Sequence, residues 1–389
     1  MNDCSKETSL VYLDHAATTP LNPNIVQGHE NLVEDFFFNP HSTHQHSENC
    51  LRAIENAKVK LLKILGIDRD EADVVWTSGG TEANNLAILG NLREMQCGQC
   101  TAMVEKSAHQ SMLAPAQANI DECGRCLEVP VDGKGHLSLD TLAVKDLPAE
   151  GGVLAVCHVN NETGARQDLV AARSWLDKNA PDVYLVVDAV QSFTKIDIEW
   201  SEARIDLLVL GGRKIGAPPS TGALVMRKGT PLKPIMFGGG QQKGYRPGTM
   251  DTVGIIEFAA AAEDAWNGKD RCYHHAAMLR ERLWHTLHAC SPVEPIVLSP
   301  DDSSPYICNV ALPGYEGAIV MRALAEKGII VATGSACSAE SSSTSHVLEA
   351  MKVDRRLARN ALRISFSGIN QKADIDNLGK ALAEVLENY

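Results

Sequence analysis

Two aliphatic runs, VYLVVD at residues 183–188 and LLVLGGRK at residues 207–214, decide the fold class. Each contains a short, continuous apolar segment, which is typical of a strand that is buried on both faces. Further runs of this kind occur along the chain, and helix-like segments separate most of them. They lie at residues 74–77, 101–105, 127–131, 153–158 and 222–226. This alternation predicts an α/β fold with a mostly parallel sheet covered on both faces.

The pattern changes after about residue 251, where longer helix-like segments and isolated strands replace the regular alternation. This second pattern predicts a smaller α+β domain. The predicted segments are a long helix over 254–289, strands over 307–312, 328–332 and 361–367, a helix over 316–326 and a last helix from about residue 374. We therefore predict a large domain over residues 16–260 and a small domain formed by residues 1–15 and 261–389.

Composition argues against several classes of protein. The chain of 389 residues has 36 basic and 49 acidic residues, and its net charge of −13 argues against nucleic-acid binding as the main function. No apolar run reaches the roughly 18 residues of a membrane span, and residues 1–9 lack the apolar stretch of a secretory signal. The 11 cysteines, an odd number, indicate a reducing compartment. We expect a cytoplasmic protein that contacts neither membrane nor nucleic acid.

A glycine-rich turn follows the predicted strand at residues 74–77. It reads SGGTEANN at residues 78–85 and leads directly into a helix. The free backbone N–H groups and the positive dipole at a helix start suit a phosphate group. The same residues also fit a tight turn with a serine or threonine cap, so the motif alone leaves both interpretations open.

Asp188 and Lys214 each follow one of the predicted strands. Ligands of open parallel sheets bind at the carboxyl ends of strands, so both residues are candidates for a site there. A desolvated lysine has a lowered pKa and becomes nucleophilic. A lysine for a Schiff base and an acid for the pyridine nitrogen are the two groups that pyridoxal phosphate (PLP) requires. An ordinary ion pair between the two side chains is the alternative.

Motifs spread along nearly the whole chain are similar to those of the cysteine desulfurases, which share the class V aminotransferase fold. Each motif is modest alone, but their order along the chain is highly specific. They read YLDHAATTP at 12–20, FNP at 38–40, TSGGTE at 77–82, HVNNETG at 158–164, VDAVQS at 187–192, GT at 248–249, GSACS at 334–338 and RISFS at 363–367. The resemblance implies fold type I of the PLP-dependent transferases, with a mostly parallel, seven-stranded mixed sheet and a smaller α+β domain.

The resemblance also implies which residues hold the cofactor ring. Lys214 is expected to carry PLP as a Schiff base, and Asp188 to pair with the pyridine nitrogen. Gln191 is expected to form a hydrogen bond with the ring oxygen, and His109 to stack on the ring. From the residues alone, His109 would be interpreted as a helix-start histidine.

Further residues are implied for the phosphate and the substrate. Gly80 and Thr81 are expected to hold the phosphate, and Thr249 to reach the phosphate of a neighbouring subunit, which implies a homodimer. Asn161 and Arg363 are expected to bind the substrate, L-cysteine, with Arg363 forking its α-carboxylate. From the residues alone, Arg363 would be interpreted as an exposed charge on a strand.

Cys337 is implied as the sulfur acceptor of a catalytic set that also contains Lys214 and His109. It lies in a loop rich in glycine and serine, where a thiolate can be exposed and reactive. It would attack the sulfur of the substrate adduct, release L-alanine and keep a persulfide. The length of the loop up to about residue 347 resembles the long-loop (group I) desulfurases, whose cysteine delivers sulfur to partners. Buried cysteines such as Cys157 and Cys308 fit a small apolar role better.

One stretch departs from the family pattern, which usually reads Ser-x-His-Lys at the Schiff-base lysine. Here Gly211, Gly212 and Arg213 precede Lys214, so the serine hydroxyl that would bind phosphate is missing. We expect Gly211 to lie at the cofactor and Arg213 to compensate with a charged contact to the phosphate.

Several functions remain open at the level of sequence. The main expectation is a cysteine desulfurase that passes sulfur to an acceptor protein, either an iron–sulfur scaffold or a thiolation enzyme. Selenocysteine lyase or another class V PLP enzyme is one alternative. A non-enzymatic scaffold for iron–sulfur assembly is another, although it would not need to keep Lys214.

Two Cys-x-x-Cys pairs lie outside the family pattern. Cys97 and Cys100 form the first pair, and Cys123 and Cys126 form the second. Each pair precedes a predicted strand, and consecutive parallel strands are often neighbours, so the pairs would meet far from PLP. Four thiolates there could hold a structural zinc ion. Chance pairs, or disulfides that form on oxidation, are the alternatives.

Overall fold

The computed structural model describes residues 10–95, 100–122, 124–148, 150–334 and 344–389. In chain order the strands are β1 (Val11–Tyr12), β2 (Ala72–Thr77), β3 (Thr101–Glu105), β4 (Arg125–Val129), β5 (Gly152–Cys157), β6 (Val183–Asp188), β7 (Leu207–Gly211), β8 (Gly222–Arg227), β9 (Ile296–Val297), β10 (Ile307–Ala311), β11 (Ile329–Ile330) and β12 (Ala361–Ser365).

The helices are α1 (Pro23–Phe36), α2 (Gln45–Ile64), α3 (Gly80–Asn85), α4 (Asn91–Met95), α5 (Gln110–Ala118), α6 (Leu169–Asn179), α7 (Thr252–Asn267), α8 (Lys269–Cys290), α9 (Gly317–Glu326), α10 (His346–Ala350), α11 (Arg355–Arg359) and α12 (Lys372–Glu387). A π-helical segment, Leu86–Gly90, joins α3 to α4. Short 3₁₀ turns lie at Leu139–Thr141, Val144–Asp146, Gly212–Lys214 and Gln241–Gly244.

The central sheet has seven strands in the order β2-β8-β7-β6-β5-β3-β4. The five strands from β7 to β4 are parallel, whereas β8 pairs antiparallel with β7 and with β2. The expected α/β fold with a mostly parallel, seven-stranded mixed sheet is therefore confirmed. This strand order places the carboxyl ends of β2, β3, β5, β6 and β7 at one edge of the sheet, together with the start of β8.

Aliphatic side chains on both faces explain why the strands read as continuous apolar runs. On one face Leu154, Leu185 and Leu208 pack in a core that also contains residues of α2, α6 and α7. On the other face Val153 and Val209 pack in a second core with residues of α3 and α5. The sheet thus forms a rigid layer between two apolar layers, and its edge presents the polar residues that follow the strands.

Two predicted segments differ from the structure. The strand predicted over residues 127–131 begins at Arg125 and ends at Val129, so Cys126 lies inside it rather than before it. The long helix predicted over residues 254–289 is two helices, α7 and α8, that meet at Gly268. Asparagine and glycine are poor residues for a helix interior, so the Asn267-Gly268 pair provides a break that an apolar periodicity does not reveal.

A smaller antiparallel sheet, in the order β12-β10-β9, lies in the C-terminal part of the chain, and β1 pairs parallel with β11. Leu279, Val310 and Leu382 belong to its separate core, which also includes Leu13 from the start of the chain. Residue 260 lies inside α7, whose buried residues up to Ala262 pack with the core of the large sheet. The domain limits 16–260 and 261–389 stay a prediction.

Within the described ranges, no helix is both long and apolar enough to cross a lipid bilayer.

Candidate active site

A cavity of about 520 Å³ opens at the edge of the central sheet where the carboxyl ends of the parallel strands meet. Its position is the one expected for a ligand of an open parallel sheet. Ten of the residues proposed from sequence line it: Gly80, Thr81, His109, Asn161, Asp188, Gln191, Gly211, Arg213, Lys214 and Arg363. The fold therefore brings together residues that are up to 283 positions apart in the chain, from Gly80 to Arg363.

Lys214 ends the 3₁₀ turn that follows β7, and its Nζ donates a hydrogen bond to the carbonyl oxygen of Ala17. Burial, together with the nearby charges of Arg363 and Arg213, lowers the pKa of Lys214 to about 8. Near neutral pH an appreciable fraction of the amine is therefore unprotonated. An unprotonated amine is the form that attacks an aldehyde to form a Schiff base.

Asp188 ends β6 and is almost fully buried. Its Oδ2 accepts a hydrogen bond from Asn84 Nδ2 at 2.7 Å, and its Oδ1 accepts one from the backbone N–H of Val190 at 2.9 Å. Burial raises the pKa of Asp188, although these two hydrogen bonds and the nearby His109 and Lys214 act in the opposite direction. A buried carboxyl with fixed orientation can hold a proton on a ring nitrogen.

His109 lies immediately before α5 and lines the cavity. Its Nδ1 accepts a hydrogen bond from the backbone N–H of Ser111 at 3.1 Å and lies 2.8 Å from Ser111 Oγ. It is thus a helix-start histidine and a cavity residue at the same time, so the two sequence interpretations do not exclude each other. Burial lowers the pKa of His109, which favours the neutral ring that stacks on an aromatic ligand.

A cradle for an anion forms where α3 begins. Its free backbone N–H groups start at Gly80, preceded by Gly79 with a φ of 140° that only glycine adopts readily. A Cβ on Gly80 would lie 2.7 Å from Val190 Cγ2, so a larger residue does not fit there. Close approach of the backbone and the exposed N–H groups fit a phosphate.

Steric crowding in this cradle explains why residue 211 is glycine and not serine. A Cβ on Gly211 would lie 3.7 Å from the Gly80 nitrogen, but also 3.1 Å from Val190 Cγ2. Val190 therefore occupies space that a serine at position 211 would need. Arg213, expected to compensate for the missing serine, is exposed at the cavity, and its Nε donates to Thr18 Oγ1 at 3.0 Å. Its contact with a phosphate stays a prediction.

Arg363 lies on β12 and is buried, which rules out an exposed charge. One terminal nitrogen donates to Asp14 Oδ1 at 2.7 Å, and the other donates to the backbone oxygen of Asn161 at 3.0 Å. Its Nε has no hydrogen-bond partner among the described residues. The guanidinium is thus held at the cavity wall with donor capacity left for a carboxylate.

Gln191 shows a similar incomplete set of hydrogen bonds. Its Nε2 donates to the Ala16 backbone oxygen at 2.9 Å, while its buried Oε1 has no partner within the described part of the chain. Because buried polar atoms are normally paired, the free Oε1 at the cavity fits a polar ligand there.

The other residues proposed from sequence do not line this cavity or lie outside the described ranges. Thr249 is exposed and does not line the cavity. Cys337 lies outside the described residues, as do Cys97 and Cys123.

The proposed zinc site is only partly visible. Strands β3 and β4 are parallel neighbours, as that proposal requires, with Cys126 opposite Ala102. Cys100 is disulfide-bonded, which is the alternative to metal ligation. The described residues contain no group of three or more His, Cys, Asp or Glu side chains that could hold a metal ion. Structural zinc stays a prediction for the reduced protein, and metal analysis after reduction would test it.

The sequence alone gave no role to several polar residues that support the site. Asn84, Ser111 and Asp14 orient Asp188, His109 and Arg363, as the contacts above show. Asp14 lies inside a motif that carries the family resemblance, and Asn84 lies in the glycine-rich turn at residues 78–85, so both stood in stretches that the sequence had already singled out. Glu105 could also have been singled out from sequence, because it is a carboxylate at the end of the apolar strand predicted over residues 101–105.

A model of the class-V aminotransferases matches residues 11–378 of the chain. The chain belongs to this family. It is 34% identical over 385 residues to a cysteine desulfurase of Cereibacter sphaeroides, an alignment that covers 97% of this chain and 96% of the relative. It is 32% identical over 382 residues to the cysteine desulfurase IscS of Dictyoglomus turgidum, with 97% and 94% covered. The resemblance found from the motifs is thereby confirmed.

Solved structures agree with these relatives. A NifS-like protein superimposes with a TM-score of 0.90 at 27% identity, covering 98% of this chain and all of that one. A structure described as SspA in complex with cysteine has a TM-score of 0.80 at 27% identity, covering 92% and 99%. This chain is thus a PLP-dependent enzyme of the cysteine desulfurase type. The glycine cradle and the unpaired buried atoms of Gln191 and Arg363 fit that cofactor and an amino-acid substrate.

Proposed function

We propose that this chain takes sulfur from L-cysteine, releases L-alanine and keeps the sulfur as a persulfide on Cys337 before passing it to an acceptor protein. The observation that carries the proposal is the cavity that places Lys214, with its lowered pKa, together with Asp188. These two groups satisfy the chemical requirements of PLP, and the relatives named above are desulfurases.

The residues that would hold the cofactor divide by the part of PLP they bind. Lys214 would bind it covalently through Nζ, and the N–H groups at Gly80 and Thr81 would hold the phosphate. Asp188 would keep a proton on the pyridine nitrogen, and His109 would cover one face of the ring. PLP supplies an electron sink that weakens bonds at the α-carbon of a bound amino acid and beyond it.

The substrate would be oriented by its carboxylate. Arg363 is fixed by Asp14 and by the Asn161 backbone, so little side-chain freedom is lost when it binds a ligand. A planar guanidinium matches a carboxylate through two parallel hydrogen bonds. Asn161, which lines the same cavity, would contact the substrate beside it.

The sulfur transfer would form one S–S bond and break one C–S bond. The Cys337 thiolate attacks the sulfur of the bound cysteine, an S–S bond forms, and the C–S bond of the substrate breaks. Its electron pair passes to the substrate carbon, which takes up a proton and leaves as part of L-alanine. Neutral His109 and Lys214 both line the cavity and can exchange that proton.

The finer features of the proposal follow the family. The active enzyme would be a cytoplasmic homodimer in which Thr249 reaches the phosphate of the other subunit. The acceptor would be an iron–sulfur scaffold or a thiolation enzyme.

Replacement of Lys214 by alanine tests the proposal. The purified wild-type protein, reconstituted with PLP, should convert L-cysteine to equal amounts of L-alanine and transferred sulfur. Lys214→Ala should lose the visible absorbance band of bound cofactor and at least about a thousandfold of the rate, because no amine remains to bind PLP covalently. Alanine release at the wild-type rate from Lys214→Ala would overturn the proposal.

Two further measurements separate the alternatives. Mass spectrometry after treatment with L-cysteine should find the added sulfur on Cys337, and Cys337→Ser should keep the cofactor absorbance while losing the persulfide. A strong preference for L-selenocysteine, with no persulfide formed from L-cysteine, would indicate a selenocysteine lyase. A protein that binds no PLP under any condition would indicate a non-enzymatic scaffold.

A further inference from the structure

A second buried carboxyl lies behind the cavity, at the end of β3. Glu105 is fully buried, with an exposed fraction of 0%. Its Oε1 accepts hydrogen bonds from Ser107 Oγ and, at 3.4 Å, from Gln167 Nε2. Its Oε2 accepts one from the backbone N–H of Cys157 at 2.9 Å. All three donors are neutral, so the carboxylate is oriented without the help of a cation.

The sheet places this carboxyl close to Asp188. Strand β5 lies between β3 and β6, and Cys157 is the register partner of Asp188. The amide that holds Glu105 therefore belongs to the residue that pairs with Asp188, and Cys157 itself lines the cavity. Two carboxyls thus lie at strand ends that are separated by one strand, Asp188 at the cavity and Glu105 behind it.

The groups around Glu105 determine its charge. Burial, together with the negative charge of Asp188, raises the pKa of Glu105 to about 7 against the opposite effect of the three hydrogen bonds. The Cys157 thiol contacts Met112 Sδ at 3.5 Å, and burial raises the pKa of that thiol well above its usual value, so it remains neutral. On the other side, Val129 of β4 is opposite Glu105, and the exposed Lys106 and Glu128 pair with each other at 3.3 Å.

We propose that Glu105 is a positioning residue whose charge strengthens the hold of Asp188 on the protonated pyridine nitrogen of the cofactor. The inference rests on the role proposed above for Asp188. Without the cofactor, the two buried carboxylates on either side of β5 repel each other, which favours the protonated form of Glu105. A cationic ring at Asp188 offsets that repulsion, so Glu105 loses its proton to solvent when the cofactor binds.

The proton that Glu105 releases on binding makes the affinity for PLP depend on pH. A ligand whose binding releases one proton binds more tightly as the pH rises, until the group is already ionised in the empty site. Below about pH 7 the affinity for PLP should therefore increase with pH by up to about tenfold per unit, the limit for one proton. Above that range the contribution of Glu105 should become constant.

The test compares the affinity of cofactor-free full-length protein for PLP between about pH 6 and pH 8, followed by absorbance or intrinsic fluorescence. Glu105→Gln keeps the size of the side chain and removes its charge. We expect the ratio of wild-type to Glu105→Gln affinity to rise by about tenfold across this range. Glu128→Gln, a change to an exposed carboxyl at the end of the neighbouring strand, is the matched control and should follow the wild-type profile.

A constant ratio across the pH range would overturn the proposal, whereas a failure of the wild-type protein to bind PLP would instead overturn the proposed function. If Glu105→Gln does not fold, Ser107→Ala tests the same idea. It removes a hydrogen bond that stabilises the ionised form of Glu105, so the pH-dependent rise in affinity should move to higher pH. An unchanged profile in Ser107→Ala would also count against the role of Glu105.

Discussion

Asn84 connects two of the groups that face the cofactor cavity. Its Nδ2 donates to Asp188 Oδ2 at 2.7 Å and lies 2.9 Å from Ser111 Oγ. Ser111 in turn contacts His109 Nδ1. One buried amide therefore fixes both the carboxyl that would hold the ring nitrogen and the imidazole that would stack on the ring. Short polar side chains of this kind determine orientation without touching the ligand.

Asn84→Ala should weaken the affinity for PLP by about tenfold, because Asp188 would lose a hydrogen bond worth about 1–2 kcal/mol to a charged group. Titration of the cofactor-free protein with PLP measures the change, and circular dichroism checks the fold. Asn85→Ala is the matched control, since the hydrogen bond that Asn85 donates goes to the Thr81 backbone oxygen and is exposed. Equal affinities of the two variants would show that Asn84 does not support Asp188.

At the level of elements, strand positions followed directly from aliphatic runs. Residues 101–105 were predicted as a strand and form β3, and Val183 and Leu207 begin strands as expected. Burial on both faces leaves no polar alternation, so such runs are easy to recognise and their ends carry the site residues. The break at Gly268 and the early start of β4 depend on local capping and on pairing with β3, which periodicity does not encode.

Contacts between distant elements were less accessible to sequence reasoning. The pairing of Asp14 with Arg363 joins residues 349 positions apart, and the burial of Glu105 depends on the order of three strands. The motifs indicated Arg363 as a substrate residue only through the family resemblance. Side-chain partners of this kind follow from tertiary packing, which a single sequence does not specify.

At the end of β7, Val190 leaves little space for a side chain at position 211, and substitutions at both positions can test this. Gly211→Ser alone should not improve PLP affinity, and it should lower the free energy of unfolding by about 1 kcal/mol, because its Cβ would crowd Val190. Adding Val190→Ala provides space for the serine. The double variant should then bind PLP more tightly than Val190→Ala alone, by about tenfold for one hydrogen bond to a charged phosphate.

PLP titration and urea unfolding of the two single variants and the double variant measure both effects. Tighter binding by Gly211→Ser alone would show that Val190 does not exclude a side chain at position 211.

The whole molecule has separate apolar cores around its large and small sheets, and the cavity draws residues from both parts. Asp188 and Lys214 follow strands of the large sheet, whereas Arg363 lies on β12 of the small one. We propose that this division corresponds to the domains predicted over residues 16–260 and 261–389, with residues 1–15 joining the small domain. A substrate held by Arg363 and a cofactor held by Asp188 would then depend on the relative position of the two parts.

Thr249 lies outside the cavity of its own chain, which is what a residue serving a partner's site requires. The chain segment that leads to it carries large exposed apolar side chains, with Met236 47% and Phe237 85% exposed. Contiguous exposed apolar side chains are typical of an interaction surface. We predict that a second copy of this chain covers them, and that the dimer brings Thr249 to the phosphate of the partner.

Phe237→Asp should therefore shift the protein from dimer to monomer in sedimentation velocity at micromolar concentration, because a carboxylate cannot be buried unpaired in an apolar contact. The monomer should also bind PLP more weakly than the wild type by about tenfold, since it lacks the donated hydrogen bond of the partner's Thr249.

Val144→Asp, at an equally exposed valine with an exposed fraction of 83%, is the control and should remain dimeric. Thr249→Ala should weaken PLP binding while keeping the dimer, which separates loss of the contact from loss of the hydrogen bond. A wild-type protein that sediments as a monomer with full cofactor affinity would contradict the shared site.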